Sequence, residues 1–295
     1  MRVGVSLRSR YEPPDVRTGA RWMVEQAATA WEAGLDSLFV GDHHATGGPY
    51  YQNAPILGRL LAEWNGPRPA GALYLLPLWN PVLVAEQVGT LAAAAAGPFV
   101  LQCAIGGEEG QFAAMGADLR RRAGVFELAL DTIRRLLAGD EVNGVRIGPL
   151  PPEPVHVWIG GTAAPAIDRA ARLGDAWLAG PELLVDQAAA LIAQYRERCA
   201  VHSRTPAAIA IRRDVHIGAD DGDAWRVARP VLDAGYRGFD PAAVVVGGPE
   251  QVAAQFVRLA DLGYSDVIIR PLAKDQADTL GCLERAGVVR LQLEG

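Results

Sequence analysis

The chain has 295 residues, 50% of them apolar and 21% charged. That composition excludes a disordered tail and suits one α/β barrel of roughly 250 residues with insertions. Its 34 acidic against 28 basic residues leave a formal net charge of −6, which argues against a nucleic-acid partner, because such partners call for phosphate neutralisation. Lysine occurs only at Lys274, so arginine carries nearly all the positive charge.

From the N-terminus, Met1-Arg2 is followed by five mostly apolar residues, too few for a secretory leader. The longest apolar stretch, Thr90 to Gly107, is broken by Gly97 and Pro98, and a bilayer span needs about 20 uninterrupted apolar residues. Cys103, Cys199 and Cys282 stand far apart with no C-x-x-C pair, the pattern of reduced thiols. The expectation is a soluble cytoplasmic protein with no membrane partner.

One local pattern recurs: an alanine-rich amphipathic segment, a glycine, a polar residue or two, then a short apolar run. It occurs as AWEAGLDSLFVGD around Gly34, RAARLGDAWLAG around Gly174 and RLADLGYSDVIIRP around Gly263. Each glycine is predicted to end a helix in the left-handed conformation. Each following run predicts a strand buried on both faces. Strands are predicted at Val3–Leu7, Leu38–Val40, Ala70–Leu76, Phe99–Ile105, Val155–Ile159, Ala176–Ala179, from Ile209 to Ile217, and at Val267–Arg270. Asn80-Pro81 and Gly248-Pro249 read as N-cap followed by the first helical residue. Eight strands separated by helices predict a (β/α)8 TIM barrel as a single domain over residues 1–295, although an open doubly wound sheet carries the same local signals. Residues 139–154 break the repeat: Asn143-Gly144 predicts a two-residue hairpin, and four prolines follow. Trp22 and Trp31 are assigned to the core. The small residues of Pro81–Ala96, Gly89 included, suggest close packing against a partner helix and hence a homodimer.

In such a barrel, chemistry sits after the C-terminal ends of the strands. The second strand is followed by Gly41-Asp42-His43-His44, with the only histidine pair among the chain's five histidines. Neighbouring side chains on an extended segment face opposite ways, so one metal ion is poorly served by both, and no metal site is expected. A histidine near its ordinary pKa of about 6.5 suits acid–base work; the alternative is a pair of loop hydrogen-bonders. After the fourth strand come Gly106-Gly107-Glu108-Glu109. A glutamate there can hold a proton beside an apolar ligand, or simply stabilise the next helix start. After the fifth come Gly160-Gly161-Thr162, a phosphate cradle or an ordinary tight turn. Tyr50, Tyr51, Tyr74 and Trp79 could line a pocket for a planar ring.

Taken together, LFVGDHH at 38–44, LPLWNPVLVAEQVGTL at 76–91, IGGEEGQFAAMG at 105–116, FELALDTIRRLLAGDEV at 126–142 and VWIGGTAAPAIDRAARLGDAW at 157–177 resemble the luciferase-like monooxygenase superfamily, and especially its branch that uses coenzyme F420, a 5-deazaflavin. The resemblance implies a (β/α)8 barrel with the cofactor across its C-terminal mouth and a small organic molecule as substrate. It implies that His43 and Glu108 are catalytic, and that Asp42, Leu73, Tyr74, Gly106, Gly107, Gly160, Gly161 and Thr162 bind the cofactor. It also implies a non-proline cis peptide behind the ring, which maps to Leu73-Tyr74. The alternatives it carries are FMN with a monooxygenase reaction, and a flavin-binding homologue with little catalysis. With Lys274 alone, no lysine cluster is available for a sugar phosphate, which argues against glucose 6-phosphate.

Overall fold

The computed structural model describes residues 1–11 and 15–294. Its strands are β1 (Arg2–Leu7), β2 (Leu38–Val40), β3 (Ala70–Leu75), β4 (Phe99–Ala104), β5 (His156–Gly160), β6 (Ala176–Ala179), β7 (Ala208–Ile217), β8 (Val245–Gly247) and β9 (Asp266–Pro271). The hydrogen-bonded order is β6-β5-β4-β3-β2-β1-β9-β7-β8, and β6 also pairs with β7. The order returns on itself, which makes this a (β/α)8 barrel fold with β8 as an added strand on β7. All eight predicted strands are present. The sequence does not announce β8, whose three residues are too few to show a period.

By contacts the chain divides into two compact units. One comprises Met1–Arg8, Arg21–Leu38 and Trp158–Gly295; the other comprises Ser9–Ala20 and Phe39–Val157.

In the first unit, β1 pairs with β9, β9 with β7, β7 with β6 and β6 with β5, all parallel. Nine of the ten residues of β7 are buried, as a strand covered on both faces requires. Gly34 (φ 79°) and Gly263 (φ 102°) adopt the predicted left-handed conformation after their helices. Gly174 does not: its φ is −85°. Glycine is needed there for space, since a Cβ would lie 2.7 Å from the carbonyl oxygen of Ala170 and 2.8 Å from that of Ala176. Trp22 and Trp31 are half-buried rather than core residues.

In the second unit, β3 and β4 pair in parallel from Ala70↔Phe99 to Leu75↔Ala104. Ala70, Ala72 and Tyr74 are fully buried on one face, while Leu73 and Leu75 are partly open on the other. Asn80 caps helix Pro81–Ala94 as predicted, its Oδ1 accepting from Val82 N at 2.9 Å and Leu83 N at 3.4 Å. The predicted hairpin forms: Val142 and Val145 exchange both backbone hydrogen bonds at 3.0 Å, with Asn143 at φ 52° and Gly144 at φ 79°, the type I′ signature. Gly89 faces this insertion, and a Cβ on it would lie 2.3 Å from the Pro149 carbonyl oxygen. At this one position the small residue makes room for another part of the same chain.

Among the described residues no helix is long and apolar enough to cross a membrane. All three cysteines are buried and form no disulfide, and burial pushes the Cys282 thiol up to about 12. Two outcomes follow. Ellman's reagent should titrate the thiols only after denaturant unfolds the chain, and Asn80→Ala should lower unfolding stability by about 1 kcal/mol in a urea titration.

Candidate functional site

The chain beyond β2 turns on one buried carboxylate. Asp42 Oδ2 accepts from the Leu75 backbone N–H at 2.7 Å and from the Trp79 indole N–H at 2.8 Å. Its Oδ1 lies 3.1 Å from His44 Nε2, but without hydrogen-bond alignment, so both atoms are buried without a hydrogen-bond partner. His44 packs edge-on against Trp79 with ring centroids 5.1 Å apart, and Trp79 in turn meets Tyr74 at 5.3 Å. Asp42 is therefore a structural anchor that ties the end of β2 to the end of β3.

With His44 turned inward, His43 turns outward, as the alternation of an extended segment requires. Its ring is 38% exposed, and its Nε2 lies 3.2 Å from Glu108 Oε2. Its Nδ1 lies 2.7 Å from Nε2 of the buried Gln111, which also donates to Glu108 Oε2 at 3.2 Å. Two acceptors thus meet the Gln111 amide nitrogen, and a flipped amide would set its oxygen against a carboxylate. That fixes the orientation. Nδ1 must accept, so the neutral imidazole carries its proton on Nε2, aimed at Glu108. Tyr50 flanks the ring at 5.9 Å.

Glu108 precedes helix Glu109–Ala114 but makes no capping hydrogen bond. Its carboxylate, 66% exposed, lies at His43 instead. Gly106 has φ 67°, and a Cβ there would press on the Phe112 ring at 3.1 Å, whereas Gly107 faces open space. Leu73 lies opposite Gln102 in the β3–β4 register, and Gln102 Nε2 is buried without a hydrogen-bond partner. An unpaired donor beside a partly open leucine suits a flat ring that carries carbonyl acceptors. Tyr74 points to the other face, fully buried, with its hydroxyl 3.1 Å from Gln87 Oε1; only its backbone is available to a ligand. The expected cis bond at Leu73-Tyr74 is absent: among the described residues the cis peptide is Gly148-Pro149. Leu73 lies in a regular strand, and β3 stays in register through both residues.

Gly160, Gly161 and Thr162 belong to the first unit and precede helix Ala164–Leu173, whose start no side chain caps. Gly161 has φ 145°, and a Cβ there would lie 2.6 Å from that of Ala166, so its amide approaches the helix start as only glycine allows. Its carbonyl is held by Trp177 Nε1 at 2.7 Å. The Thr162 hydroxyl donates to Glu182 at 3.3 Å. An exposed helix N-terminus suits an oxyanion; Glu182 opposes one unless Thr162 turns away.

Gln111 is the residue the sequence reading passes over. It stands three residues after Glu108, one helical turn on, inside the quoted IGGEEGQ segment; that spacing was the available signal.

A sequence model of luciferase-like monooxygenases matches residues 1–244. An F420-dependent glucose-6-phosphate dehydrogenase from Amycolatopsis mediterranei is 27% identical over 202 residues, 61% of each chain. An uncharacterized protein from Mycobacterium bovis is 29% identical over 114 residues, 36% of this chain and 39% of that one. The chain thus matches less than two thirds of the length of either relative. Among solved structures, apo-MsnO8 superposes with a TM-score of 0.84 at 20% identity, covering 99% of this chain and 98% of that one. The oxygenating constituent of 3,6-diketocamphane monooxygenase from Pseudomonas putida, in complex with FMN, gives 0.80 at 16% identity, covering 97% and 96%. At such identities the structures establish the shared fold.

Removing the anchor tests its role. Asp42→Ala leaves two partly buried donors unpaired and should cost about 2 kcal/mol of stability, with a red shift of tryptophan emission as Trp79 loses its partner; Asp42→Asn, which keeps one acceptor, should cost less.

Proposed function

This chain belongs to the luciferase-like monooxygenase family, and on that premise we propose that it is an F420-dependent oxidoreductase moving a hydride between the deazaflavin and a small organic substrate. The observation that carries the reading is the Gln111–His43–Glu108 chain, a proton held between an imidazole and a carboxylate on a half-open surface. The match to an F420-dependent dehydrogenase supports the choice of cofactor. When bound, the deazaflavin would supply the hydride acceptor or donor at C5 of its ring.

The chain's own residues then divide the remaining work. Gln111 holds His43 in the tautomer with its proton on Nε2. The His43 Nε2–H, shared with Glu108, also reaches the substrate oxygen, and Glu108 takes the hydroxyl proton in oxidation or returns it in reduction. In the second unit Leu73, Gly106 and Gly107 would lie along the ring; in the first, the helix start after Gly160, Gly161 and Thr162 suits an anionic group. Asp42 acts by keeping the end of β2 in place.

FMN with a monooxygenase reaction is the second reading, favoured by the fold shared with an FMN-bound monooxygenase component. Fluorescence titration with F420 and with FMN separates the two: micromolar binding of F420 alone supports the first, of FMN alone the second, and of neither removes both. With the bound cofactor, His43→Ala should lower turnover about 100-fold or more while cofactor affinity changes little. An equal loss of both would make His43 a binding residue.

A further inference from the structure

In the first unit, the C-terminal halves of β7 and β9 hold an unbalanced charge cluster. Asp214, with its side chain 1% exposed, accepts from Arg212 Nε and Nη2 at 3.0 and 2.8 Å on Oδ1. Its Oδ2 accepts from the Arg212 Nη2 at 3.1 Å, the Tyr236 hydroxyl at 2.8 Å and Arg237 Nη1 at 3.0 Å. Arg270 stands opposite Asp214 in the parallel register and so shares its face. Its Nε is buried and has no hydrogen-bond partner. Among the described residues, three guanidiniums, permanently charged at neutral pH, therefore surround a single carboxylate.

The surroundings do not soften the imbalance. Burial, then the charge of Arg270, lowers Arg212 to about 10 in spite of Asp214. Asp214 stays ionised: burial raises it, and Arg212, Arg270 and Arg237 together bring it below its usual range. The Arg237 backbone is left-handed at φ 53°, an uncommon conformation for a residue with a side chain. The turn is pinned by Tyr236, which packs on Ala224, Ala228, Val244, Val246 and Leu272. The Arg237 guanidinium lies 4.8 Å over the Phe239 ring and is 40% exposed. The cluster thus has an open side with cationic donors on it.

We propose that Arg270, Arg212 and Arg237 form a binding site for an oxyanion, a phosphate or a carboxylate, and that Asp214 is the frame that aims them. Buried like charges are costly without a counter-ion, and guanidinium forks match the geometry of both oxyanions. The position also suits a ligand, since sites in (β/α)8 barrels form at the C-terminal ends of the strands. The anion belongs to a substrate or to the tail of a cofactor. The site rests on first-unit residues alone and stands whether or not the F420 reading does.

The test is a thermal-shift and calorimetric titration of the whole chain with inorganic phosphate and with succinate, at constant ionic strength in chloride. Either probe should give a saturable rise in Tm below about 50 mM, where even a site of about 1 mM affinity fills. Arg270→Gln should weaken binding about tenfold or more. Without anion, its Tm should equal or exceed that of the parent, because a surplus, partly buried cation has been removed. Arg237→Gln, on the open side, should show the same loss of binding. Competition of phosphate with F420 or FMN assigns the site to a cofactor tail, and simultaneous binding assigns it to a separate ligand. Absence of saturation by either probe overturns the proposal. So does an Arg270→Gln protein that loses Tm in chloride alone, since Arg270 would then be a structural partner.

Discussion

Everything in the second unit's site follows from where the Asp42 carboxylate is spent. It lies buried at the end of a three-residue strand and takes the Leu75 amide and the Trp79 indole as donors. A carboxylate out of water must be hydrogen-bonded, so these two bonds hold the chain after β2 against the chain after β3. Strand alternation does the rest: His44 is forced in against Trp79, and His43 is forced out, within reach of Glu108 and Gln111. The pair His43-His44 is thus two residues in different surroundings, one packed inward against Trp79 and one turned out toward Glu108.

The same economy governs Glu108. At the start of a short helix, its most ordinary role would be to satisfy the helix's first amides, yet it makes no such bond. Its carboxylate reaches His43, and the amide of Gln111, one turn along, bonds both. Three side chains, one after β2 and two at the start of helix Glu109–Ala114, meet at one proton, and the histidine's tautomer is set by an amide nitrogen, which can only donate.

Charge in the first unit is arranged on the opposite principle. Around His43, each proton has an acceptor; around Asp214, cations outnumber the anion. Tyr236 and Arg237 come from a turn held by its own apolar packing, so the excess is built into the fold rather than carried on loose surface arginines. The overall negative charge of the chain conceals this local surplus.

Periodicity and turn chemistry are local, and they were legible. The eight barrel strands, the Asn80 cap and the Asn143-Gly144 turn all follow from residues a few positions apart, where steric preference and backbone hydrogen bonding decide; closure into a barrel rather than an open sheet shows only in the strand order. The motif segments likewise marked His43, Glu108 and the Gly160-Gly161-Thr162 turn as positions of interest. What the sequence could not decide depends on which side chains meet across long separations. Gln111 and His43 are 68 positions apart, and Asp214 and Arg237 are 23 apart. Gly174 shows the limit on a smaller scale: its place after a helix was plain, but its reason was a crowding of two carbonyls that only packing creates. Local rules specified the elements. Register and burial, which are properties of the assembled core, set Asp42 against Leu75 and Trp79, Gln111 against His43, and Arg270 opposite Asp214.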